Sequence, residues 1–490
     1  MTDPDAQASL QSAAATQLRS CGFFLLRTPL LPLDELWGRS SVQDSAPQVQ
    51  SQCNAAMQSS LPACRAWMQQ QLSNPVVREA LLLASSSLAA SIEVWERSPE
   101  SERGQKVERA LFRYLSRMVT RPTPFGLFAG CSYGTVGPCT HLKLDSTTTY
   151  RRHTQLDQEH IEALITKLLA SPDVAQSLHY HTNGTLFVGA GRWRYVESRT
   201  PKAGQTSFHL VAVERSNYLD EILQQATAGA SHAALTAAVQ QCIPTASQEQ
   251  AAGFIEELVR CELLYPEVRS LATGADPLEA LARQLRSRAQ NGHAALVEKL
   301  FAQLAQLDAQ GLGQSAHAYV PLQQELPTSS DLPNLSRLVH VDLWKPAATA
   351  TLAESVVAEA ARGVALLARL QRPKELRVLK KFKQAFIARY EDKQVPLLHA
   401  LDPECGIGFD DQQGMGDEAA VLLSGLKLGM QEPAEQQSFS PQDALLLQLV
   451  VKALQRGATQ LRLREEDLAT LPPAEPAPAA VSVLGALLLD

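Results

Sequence analysis

Apolar residues recur at two different spacings along this chain, and the changes of spacing divide it into parts. Between about residues 75 and 121 they recur every three or four positions, which predicts helix. Pro122 and Pro124 end that helix, because a residue before proline is driven out of the α region. Residues 184–198 and 206–215 are rich in β-branched and aromatic side chains and predict strands. Three helical patterns follow, over 216–229, 230–242 and 247–264.

Strands followed by three short helices resemble a winged-helix unit, which we place at residues 184–268. Such a unit binds DNA or a peptide, or is purely structural. DNA is disfavoured, because the third helix carries Glu256 and Glu257 among four acids against a single arginine, Arg260. For a peptide, an extended segment would add beside the strand that includes Phe208, Leu210, Val211 and Val213 and would pack against the last helix.

The same pattern predicts the rest of the architecture. We expect a short buried strand within 23–32, an amphipathic helical stretch over 276–310, a strand at 338–346 and an Ala-rich helix over 350–370. The fold class is therefore α+β, with several subdomains: residues 1–183, the winged-helix-like unit 184–268, and residues 269–490.

Composition narrows the class of protein. The 490 residues are 45% hydrophobic and 19% charged, with a net charge of −7, as in a soluble globular protein. The N-terminus lacks a secretory signal, and no apolar run is long enough to span a membrane, so we expect a cytoplasmic protein. The eight cysteines are scattered without a CxxC pair, and no HExxH, GxSxG or Walker A motif occurs. These absences disfavour a zinc site, a conventional hydrolase and a nucleotide triphosphatase.

The main candidate chemistry is a series of arginines at every fourth position: Arg109, Arg113, Arg117 and Arg121. On a helix they share one stripe, and Glu108 is the one acid close by on that helix. Guanidinium groups bind phosphate or carboxylate, so the stripe indicates an anion site. The alternative is a solvated basic face, or arginines that pair with carboxylates elsewhere in the fold. Thr123, held between two prolines, either orients a substrate or makes an ordinary turn hydrogen bond.

Acidic candidates are weaker. Asp157 lies at a predicted helix start, where N-capping is favoured over a functional role. A cation site is disfavoured for the loop acids Asp402, Glu404, Asp410 and Asp411, because their spacing fits no EF-hand and solvated acids explain them.

Four segments together resemble the N-terminal, glutamylation domain of class I lanthipeptide dehydratases, the family of the nisin dehydratase. They are FFLLRTPLLP, RYLSRMVTRPTPFGLFAG, LVHVDL and FKQAFIARYEDKQVPLLHALDPECGIGF, in family order. The resemblance implies a transferase that moves glutamate from glutamyl-tRNA to Ser or Thr hydroxyls of a precursor peptide, without a further cofactor. It also implies that a second domain eliminates the glutamate afterwards.

Residue by residue, the resemblance assigns glutamylation to Arg117, Arg121 and Thr123. Arg27, Asp157 and Arg389 would serve substrate or tRNA binding, with Gln155 and Glu391 standing where the family commonly has arginine and glycine. Arg113 is a further substrate- or tRNA-binding candidate, as supporting charge, and the basic segment 374–393, with Lys380 and Lys381, would follow the RNA backbone. The winged-helix-like unit would bind the leader of the precursor peptide.

The resemblance also leaves alternatives open. Complete family members are longer, so a separate partner chain for the elimination step is expected, and a homodimer is a further option. Within the same family, a ligase would add an amino acid from tRNA to a peptide C-terminus. A catalytically inert leader-binding subunit is the alternative from a different class.

Overall fold

The protein is described here from a computed structural model that covers residues 18–33, 50–199, 206–268, 274, 276–326, 337–370, 377–409, 440–461, 463–469, 471 and 480–487. The strands of this part are β1 (Phe23–Pro29), β2 (Ala129–Gly137), β3 (His141–Leu144), β4 (Arg151–Leu156), β5 (His179–Thr182), β6 (Phe187–Gly189), β7 (Arg192–Arg199), β8 (Ser207–Glu214), β9 (Ala230–Ser231), β10 (Leu264–Pro266), β11 (Val339–Trp344) and β12 (Ala347–Ala353).

The helices before β11 are α1 (Gln50–Leu72), α2 (Pro75–Ala84), α3 (Ser86–Arg97), α4 (Glu102–Thr120), α5 (Gln158–Leu169), α6 (Pro172–Ser177), α7 (Asn217–Ala226), α8 (His232–Cys242), α9 (Gln248–Arg260), α10 (Pro277–Ser287), α11 (Asn291–Ala309) and α12 (Val320–Glu325). Those after β12 are α13 (Glu354–Leu370), α14 (Arg377–Tyr390), α15 (Leu397–Leu401), α16 (Pro441–Gln455) and α17 (Glu465–Leu468). This mixture of helices and separate sheets confirms the predicted α+β class.

A six-stranded sheet lies next to the arginine helix α4. Its central strand β2 pairs along its length with antiparallel β1, while its other edge pairs with parallel β11 and then parallel β12. Strand β4 extends the sheet beyond β11, and β3 extends it beyond β12. One face is buried through Val339, Val341 and Leu343, and the opposite face is exposed.

The helical stretch before the sheet forms because its apolar residues repeat at helical spacing. It consists of three helices, α2 to α4, rather than one, because Ser85 and Ser101 accept hydrogen bonds from backbone N–H groups and start new helices. Helix α4 buries Leu111, Leu115 and Met118 and ends at Thr120, as Pro122 predicts.

The predicted winged-helix-like segment contains the expected elements. Ser216, Ser231 and Ser247 cap helices α7, α8 and α9, which is why each helix begins after a serine. Strands β6, β7 and β8 form an antiparallel sheet, and β5 pairs with β9 and β10 in a second one. In the first sheet β8 is an edge strand, paired only with β7 among the described residues.

Three expectations about secondary structure need correction. Strand β1 is not buried, because it lies at a sheet edge and Phe23 and Leu25 face outward, 49% and 55% exposed. The helix expected over 350–370 begins only at Glu354, because the preceding alanines and threonines pair with β2 and β3 as β12. The stretch 276–310 is two helices, separated by residues that include Ala289 at φ 58°.

Within the described ranges, none of the helices is long and apolar enough to cross a membrane.

Candidate functional site

Strand register brings the RPTPFG turn and Asp157 to the same end of the six-stranded sheet. Trp344 of β11 is level with Cys131 of the parallel strand β2, while Val339, at the start of β11, is level with Leu156 of β4. The start of β11 is therefore level with the residues just before β2, which form the turn. Strand β11 lies between β2 and β4, so the turn and Asp157 are separated laterally by about 10 Å, two inter-strand spacings.

Backbone hydrogen bonds hold the end of β1 at this same place. The N–H of Leu30 donates to the carbonyl of Phe128 at 2.8 Å, and the N–H of Leu31 donates to the carbonyl of Met118 at 3.0 Å. Arg27, three residues before Leu30 on β1, pairs with Cys131 of β2. The structure thus joins the arginine strand motif, the last turn of α4 and the RPTPFG turn, which the sequence predicted to act together.

Arg117 is the best-defined member of the group. Its guanidinium carbon lies 4.3 Å from the centre of the Phe125 ring and 5.8 Å from that of Phe128, which holds it by cation–π contacts. Its Nε is buried without a hydrogen-bond partner among the described residues, as are Ser116 Oγ and Thr28 Oγ1. Buried polar atoms are nearly always paired in proteins, so three orphans in neighbouring segments indicate a place for a polar ligand.

The arginine stripe is not neutralised within the described part of the chain. Arg27, Arg109, Arg113, Arg117 and Arg121 form no ion pair with a described residue. This excludes pairing with described carboxylates, which the sequence left open.

The acids nearest to the stripe are engaged by other cations. Glu108 accepts hydrogen bonds from Arg65 Nε at 2.7 Å and from Trp95 Nε1 at 2.8 Å, and Glu100 also pairs with Arg65. Ion pairing with Glu100 and Glu108 raises the pKa of Arg65. The positive charge of the stripe is therefore available to an anion from outside.

Two further residues assigned to glutamylation, Thr123 and Arg121, and the substrate-binding candidate Asp157 also lie at this end of the sheet. Thr123 is exposed in the turn, and Arg121 is exposed and donates its backbone N–H to the carbonyl of Arg117 at 3.0 Å. Asp157 caps α5, with its side chain accepting from the N–H of Glu159 at 3.0 Å. Capping alone thus accounts for Asp157, although its position beside the turn also suits a substrate contact.

Arg389 lies against a different part of the molecule. Its guanidinium donates to the carbonyls of Cys405 and Gly406, the former at 2.8 Å, so two of its five N–H donors hold the 405–406 segment. Lys380 and Lys381 are exposed on the same helix, α14. Arg389 contacts Cys405, Gly406 and the Tyr390 ring, so among the described residues the structure does not assemble it with Arg117.

The expectation that Asp402 is a solvated loop acid is wrong. Asp402 is 2% exposed and pairs with the buried Arg194 of β7 at 3.1 Å, while Glu404 pairs with the same guanidinium. Among the described residues no cluster suits a metal ion, and Asp410 and Asp411 lie outside them. This ion pair attaches the 402–406 segment to the β6–β8 sheet.

The residues predicted to bind the leader lie on both faces of the edge strand β8. Phe208 is 72% exposed and Leu210 is 39% exposed. Val211 and Val213 are half-buried and pack against the hydrophobic core. A peptide added beside β8 would therefore meet Phe208 and Leu210 directly, while the two valines support the strand.

Sequence reasoning missed two features near the turn. Lys345 is 2% exposed, its Nζ donates to the carbonyl of Pro29 at 2.7 Å, and burial lowers its pKa to about 8. Tyr133 and Trp344, 52% and 41% exposed, lie on the open sheet face that also carries Arg27. The position of Lys345 directly after an apolar strand was a signal that the sequence offered. The exposed sheet face with Tyr133 and Trp344 depends on strand pairing, which the sequence does not reveal.

These features agree with the family to which the chain belongs: it matches the family "Lantibiotic dehydratase, N terminus" over residues 73–490. Among curated relatives, the subtilin biosynthesis protein SpaB of Bacillus subtilis is 23% identical over 68% of this chain and 32% of its own length. The epidermin biosynthesis protein EpiB of Staphylococcus epidermidis is 19% identical over 44% of this chain and 22% of its own. The alignments thus span a third or less of these relatives.

Two solved structures share the fold. The tRNA-dependent lantibiotic dehydratase MibB from Microbispora sp. 107891 matches 94% of this chain and 40% of its own, with 24% identity and a TM-score of 0.69. The glutamylation domain of TbtB, from thiomuracin biosynthesis, matches 85% of this chain and 51% of its own, with 16% identity and a TM-score of 0.53. The recognised resemblance to a glutamylation domain is confirmed at the level of family and fold.

Proposed function

We propose that this chain provides the glutamyl-transfer step of a peptide-modifying dehydratase, taking glutamate from glutamyl-tRNA to Ser or Thr side chains of a precursor peptide. One observation carries the proposal: the arginine helix α4 ends at the RPTPFG turn, where Arg117 Nε is buried without a hydrogen-bond partner among the described residues. The similar structures, described as a tRNA-dependent dehydratase and a glutamylation domain, support the same activity.

Glutamyl transfer requires stabilisation of negative charge rather than a source of energy. The glutamyl ester of tRNA is already activated, so the peptide hydroxyl oxygen bonds to the glutamyl carbonyl carbon and the ribose oxygen leaves with the proton. Negative charge on the carbonyl oxygen, the glutamate side chain and the terminal phosphate is best opposed by Arg117 and Arg121. Thr123 would orient one of these groups. No further cofactor is required in this scheme.

The peptide substrate would be held by its leader at β8. This strand has an unpaired edge in the described residues and exposes Phe208 and Leu210, which together favour addition of an extended peptide strand. We place the reaction in the cytoplasm, where aminoacyl-tRNA is present, and assign elimination of glutamate to another domain or partner chain.

The test is a reconstituted transfer reaction analysed by peptide mass. The chain is mixed with tRNA, glutamate, glutamyl-tRNA synthetase and a lanthipeptide precursor that carries its leader. One added glutamyl residue on Ser or Thr is expected. Arg117→Ala should lower the transfer rate by at least about 100-fold, an oxyanion-type loss, and should leave leader binding unchanged.

Arg283→Ala is the matched control, because Arg283 is an exposed, ion-paired arginine on α10. It should transfer glutamate at the wild-type rate. A C-terminal extension of the peptide would indicate the ligase instead. Peptide binding without any mass change, or full activity of Arg117→Ala, would contradict the proposal.

A further inference from the structure

A groove between the start of α3 and the outer side of α4 continues the basic stripe away from Arg117. It has a volume of about 360 Å³. Three cations line it, Arg103, Lys106 and Arg113, together with the hydroxyl-bearing Ser85, Ser87 and Ser91. None of its lining residues is acidic, so the groove carries a local positive charge in a chain with net charge −7.

The cations of the groove are available to a ligand. Arg103 and Arg113 form no ion pair with a described residue. Lys106 pairs with Glu102 at 2.7 Å, but both side chains are well exposed, 65% and 86%, and such i,i+4 pairs contribute little. A polyanion can therefore replace Glu102 at small cost.

Helix geometry aligns the groove with the candidate site. At about 100° per residue, Arg103, Lys106, Arg113 and Arg117 fall within an arc of about 80° on α4. From Arg103 to Arg117 the helix rises about 21 Å. Tyr114 joins the two ends, because it lines the groove and packs edge-on against Phe128 with ring centres 5.8 Å apart.

We propose that this groove binds backbone phosphates of the tRNA whose 3′ end occupies the Arg117 site. The inference rests on the proposed function and extends it to a second contact. A glutamate carboxylate or a single phosphate would fill only one end of a basic stripe about 21 Å long, whereas an RNA strand supplies negative charges along all of it. Serine hydroxyls are also common donors to phosphate and sugar oxygens.

The experiment measures tRNA binding directly, independent of catalysis. The full chain is titrated with unacylated glutamate tRNA at several KCl concentrations, as wild type, as the double variant Arg103→Gln/Lys106→Gln, and as the control Arg283→Gln/Lys299→Gln. The control removes two exposed charges at the α10 and α11 surface. A short oligoribonucleotide with the sequence of the tRNA 3′ end is the second ligand.

The groove variant should raise the tRNA Kd about tenfold and make the slope of log K against log salt shallower by about 1.5, for two lost phosphate contacts. The control variant and the short oligonucleotide should bind as before. Unchanged tRNA binding by the groove variant, or weakened binding of the precursor peptide instead, would overturn the inference. Failure of the proposed function would show differently, as normal tRNA binding by the wild type without transfer of glutamate to peptide.

Discussion

The buried Lys345 should make the stability of the protein depend on pH, and the structure predicts the direction of that dependence. Its side chain is 2% exposed beneath the end of β1, where Nζ donates to the carbonyl of Pro29 and lies 5.0 Å from the centre of the Tyr150 ring. Burial lowers the pKa of Lys345 from 10.5 to about 8 in the folded protein. Between these two values the unfolded chain binds more protons than the folded one, so stability rises as pH rises.

The size of the effect follows from the difference between the two pKa values. At about 1.4 kcal/mol per pKa unit the whole window corresponds to roughly 3 kcal/mol, of which about 2 kcal/mol falls between pH 7 and pH 9.5. Below pH 8 the cost of burying the charge is fully present, and it disappears as the ammonium loses its proton. Neutral lysine still donates to Pro29, so the strand contact is kept.

The comparison that isolates this group is wild type against Lys345→Met, by urea unfolding at pH 7, 8, 9 and 9.5. Methionine has similar length but no charge, so the variant should lack this part of the pH dependence. The free energy of unfolding of the wild type should rise by about 2 kcal/mol relative to the variant across the series. Parallel curves would refute the argument and show that Lys345 titrates normally.

Three further changes test other parts of the structure. Glu79→Ala should lower the free energy of unfolding by about 3–5 kcal/mol, because it removes the buried carboxylate that accepts from Arg152 and Tyr319 and leaves Arg152 with the longer contact to Asp308 at 3.5 Å; a loss below 1 kcal/mol in urea unfolding would contradict this. Glu391→Gly should raise it by about 1 kcal/mol, since Glu391 sits at φ 54° after α14; no gain would mean that this strain is relieved elsewhere. Phe208→Ala should weaken leader binding about tenfold by calorimetry without changing tRNA affinity, and equal weakening of both would indicate misfolding.

The sequence predicts best the features that depend on local chemistry. Helix α4 ends where Pro122 requires, and α7, α8 and α9 start at serines that cap them, because capping involves only residues three positions apart. Glu391, which stands where the family resemblance gives a glycine, has a positive φ of 54° after α14, a backbone region that glycine adopts more readily.

Features that depend on distant pairing were missed or misplaced. The outward face of β1 and the strand character of β12 are decided by partners on β2, which lies more than a hundred residues from β1 in the chain and farther still from β12. Arg389 carries a motif signal, yet its guanidinium is used to hold the 405–406 carbonyls, which no spacing rule reveals. Asp402 looked like a solvated acid because its partner, Arg194, is remote in sequence.

Glu108, the acid next to the arginine stripe in sequence, shows why the net negative charge of the chain did not predict the local charge of this site. Glu108 and Arg117 are nine positions apart, which on an ideal helix is about 180°, so the carboxylate lies on the opposite side of α4. There it is held by Arg65 and Trp95, within hydrogen-bond distance of both. Because that carboxylate is engaged away from the stripe, an acidic chain can present to a polyanion a row of arginines that no described carboxylate neutralises.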